Sequence, residues 1–506
     1  MDPLAQLWPI IQSFAKDYLS QASAHKMFLP GLLRFLTVAV DGLIQSSVND
    51  DRKTRRDAQD LYQRCVDYCI LIAGRSFDQG IWLRRSTAHE DDEAVHSPSD
   101  NLSLPETILS DSTRNMSTSN VSDLEKKAGW KSSEDVLIAQ VNTYLATAVI
   151  PELRQIIGDQ DRIISLLNNL VYYVIGPALR SKAIFGKTAI VLDQICEMTK
   201  MPFSYKTWRK EVWDVFLDNR FFYMNSATAK RWRTIIETVF ILEKERFTEL
   251  MSRITTSPST AFFSNKDQET VNRALNLRRL SYVIFCGAVD QYVPQLPVIQ
   301  EKIVELLKLD HGEMVHVEIY LCLRIMLVRF SQRHLLNFWP VLVTELMRLF
   351  NTYLSDEGHD RPEEAQIALA GCKFLDLLCT LETDAFQIYQ WIFIRDTVDS
   401  ITRRKAREGP KPIMDKLSEK LTHDVSFSEP FSRDVPESPA SVPSMGQLKR
   451  PMLTMSSISS IRQLSFFIDH VGLYVYQSSF TLAQPDIPFI ESLLQNDLLE
   501  GDIENK

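Results

Sequence analysis

Along most of the chain, apolar side chains recur every three or four positions, the spacing that places them on one face of an α-helix. In PVIQEKIVELLKL, Val298, Ile299, Ile303, Leu306 and Leu307 form one stripe, and Glu301, Lys302, Glu305 and Lys308 fall off it. Pro297 stands where a first-turn proline belongs, since its missing N–H is one that a helix start leaves unpaired anyway. TAKRWRTIIETVFILEKERFTELMSRI repeats the pattern with Trp232, Ile235, Ile236, Val239 and Phe240. LWPIIQSFAKDYL at 7–19 and FWPVLVTELMRLF at 338–350 share a Trp-Pro followed by a helical run, which predicts Pro9 and Pro340 near first turns. These stripes are helix cores, and their succession predicts an all-α fold: a HEAT/armadillo-like α-solenoid of stacked helix pairs with two long disordered insertions.

The two insertions are where the periodicity fails. Residues 86–124 hold nine serines and eight acids against the single base Arg114, with no aromatic residue, so they cannot bury enough apolar surface to order themselves. Residues 405–457 hold seven of the 22 prolines, each of which removes a helix donor. The expected organisation is a helical segment at 1–85, an acidic loop at 86–129, the main solenoid at 130–404, a Pro/Ser-rich linker at 405–457, and a terminal helix and tail at 458–506. Only 16 of 506 residues are glycine, about 3 per cent against the roughly 7 per cent of an average chain, which disfavours phosphate loops and tight hairpins.

Charge and thiols narrow the setting. A formal charge of −9 argues against a nucleic-acid binder, which needs a basic face. Seven cysteines scattered through apolar stretches suit free thiols in a reducing compartment, and the amino terminus lacks the basic and apolar regions of a secretory leader. The longest uncharged stretch, Val136 to Pro151, and the run IYLCLRIMLVRF, broken by Arg324 and Arg329, fall short of the roughly 20 apolar residues of a spanning helix. Membrane contact is therefore expected to be peripheral.

Catalytic and cofactor motifs are wanting. Gly186, Lys187 and Thr188 resemble the end of a Walker loop, but Ser181 stands where that loop needs its first glycine. Cys65 and Cys69, Cys372 and Cys379, and His311 and His316 have no second ligand pair at zinc-site distance. No nucleophile elbow or metalloprotease signature occurs. Neither enzymatic activity, a cofactor nor a metal is expected. Ser97-Pro98 and Ser438-Pro439 offer phosphorylation sites in the two insertions. The candidate site is a basic cluster, Arg403, Arg404, Lys405, Arg407, Lys411, Lys416 and Lys420, set against only three acids in 401–421. Basic residues at an anionic leaflet contribute about 1 kcal/mol each before screening, so this segment is a candidate contact for a membrane or a partner.

Several blocks together point to one family: YKTWRKEVWDVFLDNRFFYM at 205–224, LRRLSYVIFCGAVDQYVPQLPVIQEKIVELLKL at 277–309, LRIMLVRFSQRHLLNFWPVLVTELMRLF at 323–350 and CKFLDLLCTLETDAFQIYQWIFIRD at 372–396. In order and spacing they resemble the carboxyl-terminal region of Dopey proteins, and SISSIRQLSFFIDHV at 457–471 is similar to that family's last helix. The family's long amino-terminal portion is absent, as in a fragment or a shortened relative. The resemblance implies a non-enzymatic scaffold on the cytosolic face of Golgi and endosome membranes, acting in vesicle-mediated protein transport. Its expected partners are the Mon-type Golgi scaffold, an aminophospholipid flippase and the anionic membrane surface. Without the family, the alternatives are a solenoid cargo receptor of the nuclear-transport type, which a strict repeat of roughly 40 residues would mark, and a helical enzyme.

Overall fold

The computed structural model describes residues 3–22, 25–45, 52–92, 135–181, 189–255, 266–308, 312–355, 362–395, 411–423, 448–479 and 483–500. Among them there is no β-strand, only an isolated bridge between Lys449 and Pro485. The all-α expectation is borne out. The chain divides into two compact units, one of residues 1–221 and 227–235, the other of 222–226 and 236–506.

The first unit contains α1 (Pro3–Ser20), α2 (Leu29–Gln45), α3 (Arg52–Asp92), α4 (Asp135–Ile156), α5 (Gln160–Arg180), α6 (Ala189–Thr199) and α7 (Tyr205–Phe216). Its helices stack as pairs: α2, α4 and α6 pack in succession as one layer, and α3, α5 and α7 as the other. That is the arrangement of an α-solenoid, in which each pair buries its apolar faces against its neighbours. Gly158, at φ +69°, ends α4 in the left-handed conformation that suits glycine. Asp159 then caps α5, its carboxylate accepting from the N–H groups of Asp161 and Arg162 at 3.0 and 3.5 Å. Along the α3/α5 seam, Arg162 reaches Asp60 and Gln63, and Asn169 donates to Asp67 at 3.1 Å.

Both α4 and α5 widen into a π turn, at Leu145–Val149 and Val171–Ile175, just before Pro151 and Pro177. A proline cannot donate and its ring crowds the carbonyl four residues back; the wider turn relieves that crowding. For Pro177 the crowded carbonyl is that of Tyr173, and Gly74 of α3 packs against this same oxygen. Pro9 departs from expectation: it lies inside α1, because Pro3 already occupies the helix start. Pro340 and Pro297 do fall in first turns.

Three helical runs, Lys26–Gln45, α4 and α5, are long and apolar enough by length and composition to cross a membrane. This corrects the expectation drawn from uncharged stretches, which single charges such as Arg34 and Asp41 had cut short. Here 50, 44 and 56 per cent of their apolar windows are buried inside the protein, so much of that hydrophobicity has a packing role.

α8 (Ser226–Leu242) is divided, its residues 227–235 counted with the first unit, and the second unit contains α9 (Glu245–Thr255), α10 (Lys266–Cys286), α11 (Leu296–Lys308), α12 (Glu313–Arg329), α13 (Trp339–Ser355), α14 (Pro362–Leu381), α15 (Asp384–Phe393), α16 (Ile413–His423), α17 (Ser465–Ser479) and α18 (Ile487–Leu498). Here α9/α10, α11/α12 and α13/α14 pair, and α10, α12 and α14 lie side by side as the inner layer. α12 is buried on every side from Glu318 to Met326, and α14 from Ala368 to Thr380.

The insertions differ in part from the sequence reading. α3 runs on to Asp92, seven residues into the expected acidic loop, and the rest of that loop lies outside the described residues. Within the expected linker, 413–423 forms α16 because Ile413, Met414 and Leu417 find a core to bury in. The expected terminal helix and tail are two helices: Asp486 caps α18, accepting from Phe489 N–H at 3.1 Å.

A Cβ at position 74 would stand 2.6 Å from the Tyr173 carbonyl oxygen, which is backbone and cannot swing aside. Gly74→Ala is therefore expected to cost about 1–3 kcal/mol. Thermal unfolding of the variant checks this: a drop of several degrees is expected, and an unchanged midpoint would refute the packing argument.

Candidate functional site

The basic cluster does not assemble as a site in the described residues. Arg403, Arg404, Lys405 and Arg407 lie outside them. Lys411 pairs with Glu419 at 2.6 Å, Lys420 donates to the Tyr353 carbonyl at 2.9 Å, and Lys416 stands exposed on α16. Lys420 thus ties α16 to α13, while Lys411 pairs within its own segment. Gly186, Lys187 and Thr188 also lie outside the described residues. The cysteines are free thiols, all but Cys196 buried, and no cluster of metal-ligating side chains occurs among the described residues.

Where charged chemistry does converge is the inner face of the second unit. Arg278 of α10, Arg324 of α12 and Lys373 of α14 face Glu318, Asp497 and Glu500 around a cavity of about 850 Å³. Asp497 bridges two helices, accepting from Arg324 at 2.6 Å and from Lys373 at 2.7 Å. Arg329 pairs with Glu491 at 2.9 Å while lying over the Phe285 ring, and Arg278 binds both Glu318 and Glu500 over the Phe222 ring. Burial pushes the Asp497 carboxyl up, but Arg324 and Lys373 outweigh it and hold the group below the usual carboxylate range. Burial, with Arg324 nearby, pushes the Lys373 amine down despite Asp497. Both shifts follow from one geometry, in which a single carboxylate serves two cations.

Beside this row, residues 448–458 form a strap over α14. Lys449, almost fully buried, donates to the Cys379 carbonyl at 2.8 Å and pairs with Glu382. Leu453 N–H donates to Asp376 Oδ2 at 2.7 Å, and Gln366 donates to the Ile458 carbonyl at 2.6 Å. Arg450 pairs with Asp486 at 2.8 Å and covers the Phe489 ring, which ties the strap to α18. Burial raises the Asp376 carboxyl to about 7, against the opposing pull of the Leu453 and Met452 N–H groups, Lys449 and Arg324.

Sequence reading missed these residues. Their signal was present in the arginines that interrupt IYLCLRIMLVRF and in Lys373 and Asp376 inside CKFLDLLC. A charge within an otherwise continuous apolar helix requires a buried partner.

The chain matches the family described as DOP1 C-terminal over residues 1–481. It belongs to that family. The Dopey resemblance is thereby borne out. The chain is similar to Protein dop1 of Emericella nidulans, 25% identical over 518 residues, covering 98% of this chain and 25% of the relative. It is also similar to Protein DOP1B of Mus musculus, 26% identical over 483 residues, covering 88% of this chain and 20% of the relative. The Protein DOP1 homolog of Drosophila melanogaster is 25% identical over 439 residues, covering 78% of this chain and 16% of its own length. The chain thus spans a quarter or less of these DOP1 relatives, and none of their names is that of an enzyme. No solved structure matches.

The raised Asp376 carboxyl makes a signed prediction. Its folded pKa lies above the unfolded value of about 4, so folding favours the protonated form; that stability is full below pH 4 and is lost as pH rises through 7. Asp376→Asn keeps an acceptor for Leu453 and cannot ionise. Its thermal midpoint, measured from pH 5 to 8.5, is expected to gain on the parent as pH rises; a constant difference would refute the assignment.

Proposed function

We propose that this chain works as a non-enzymatic scaffold in vesicle-mediated protein transport at the cytosolic face of Golgi and endosome membranes. It acts through protein–protein contacts and peripheral contact with the anionic membrane. The observation that carries the reading is membership of the DOP1 C-terminal family, together with the trafficking role that the Dopey resemblance implies. The stacked helix pairs support it, since solenoids of this kind present extended binding surfaces. The seven free thiols are of the kind a reducing compartment preserves. Partners expected on this reading are the Mon-type Golgi scaffold and an aminophospholipid flippase.

Exposed apolar side chains around α1 and α2 are in keeping with the contact role. α1 packs on α2, with Leu4 against Gly42; α1 exposes Ile10 and Phe14, the turn before α2 exposes Phe28, and α2 exposes Val38, at 60–73 per cent. Ile10 and Phe14, one helical turn apart, share a face of α1. Phe14→Asp with Val38→Asp is expected to leave the thermal midpoint nearly unchanged, as exposed substitutions within about 0.5 kcal/mol do, while reducing partner recovery.

Affinity purification of the chain from cytosol and membranes tests the whole reading. Recovery of the Mon-type scaffold or a flippase is the expected result, and recovery of nuclear transport factors in their place would overturn it. The membrane arm is tested separately on phosphoinositide-containing liposomes. Reversing Arg403, Arg404, Lys405, Arg407 and Lys416, while sparing the engaged Lys411 and Lys420, is expected to abolish binding. Unchanged binding would remove the basic cluster from the account.

A further inference from the structure

The family match ends at residue 481, and α18 follows it from Ile487 to Leu498. This helix lies on the inner layer as a ligand would. Ile490, Leu494 and Leu498, at helical spacing, are buried. Glu491, Asp497 and Glu500 meet the cationic row of Arg329, Arg324, Lys373 and Arg278.

The fit is incomplete. A solvent-open cavity of about 850 Å³ remains on this face at the carboxyl-terminal end of α18, walled also by Thr454 and Ser457 of the strap, and Glu318 Oε2 and Arg324 Nε are buried with no hydrogen-bond partner among the described residues. Proteins ordinarily pair their buried polar atoms. A basic face with an apolar floor, held by a complementary acidic helix that leaves much of it unfilled, has the character of a docking groove with an occupant.

We propose that the face formed by α10, α12 and α14 is a binding groove for an acidic amphipathic helix, and that α18 occupies it in cis and exchanges with such a helix from a partner protein. Helix-in-groove recognition reads apolar anchors on one stripe. Here they fall at i, i+4 and i+8, with acids at i+1, i+7 and i+10 matching the four cations. The proposal rests on the scaffold reading only in taking the partner to be a protein. Peptide binding tests the groove by itself, whereas partner recovery tests the compartment, so the two can fail separately.

The probe is a labelled synthetic peptide of residues 484–500, with a control peptide in which the positions of Glu491, Asp497 and Glu500 carry lysine. The full chain bearing E491K and D497K keeps the groove and weakens its own occupant. It is expected to bind the acidic peptide at least tenfold more tightly than the unaltered chain, in a salt-sensitive manner, and not to bind the control. In the unaltered chain, amide hydrogen exchange is expected to show α18 opening well before α12 and α14. Three results would overturn the proposal: no gain in peptide binding, equal binding of the control peptide, or α18 amides that exchange only with α12. Loss of helicity in the E491K/D497K chain would do the same, by making α18 a fixed part of the core.

Discussion

α12 and α14 have no solvent-facing side along their central turns, so any charge they carry must find its compensation inside the protein. Arg324, Arg329, Lys373 and Asp376 are such charges. Removing an ion from water costs several kcal/mol even after relaxation, and only close, well-formed partners offset it. Those partners arrive from far along the chain: Asp497 is 173 residues from Arg324 and 124 from Lys373. The strap at 448–458 and α18 are therefore tied to the middle of the second unit by electrostatic need as well as by packing.

This arrangement departs from a simple stack of helix pairs. In an ordinary solenoid each pair is stabilised by its neighbours through apolar contact, and the layers are close to interchangeable. The first unit follows that pattern, its α3/α5 seam using half-buried polar pairs that water can still reach. In the second unit the inner layer is neutralised by elements that do not belong to the stack. Some of the groups there remain poorly satisfied, notably Glu318 Oε2, Arg324 Nε and Asp376 Oδ1. The raised Asp376 carboxyl links the strap's hold on α14 to pH, while the α10/α12/α14 layer keeps its apolar contacts.

Local pattern settled much of the fold. Periodic stripes such as Ile299, Ile303 and Leu306 became buried helix faces, and Pro297 and Pro340 fell in first turns, because helical spacing and proline geometry act within a few residues. Pattern was less informative where a helix depends on a distant surface. α16 orders within a proline-rich span because its apolar face meets α13, α15 and α17, and the length of α4 and α5 was hidden by counting only uncharged residues.

By itself, then, the sequence determined the all-helical class and the family, since these rest on local periodicity and on blocks of residues in a fixed order. Only the tertiary structure decided which charges matter. The basic residues of 403–420 are conspicuous in the sequence, but those among the described residues form no shared site. Arg324 and Lys373, lost among leucines and cysteines, instead gather with Arg278 and distant acids around a cavity. Charge compensation in a buried layer depends on distance in space, which spacing along the chain does not encode.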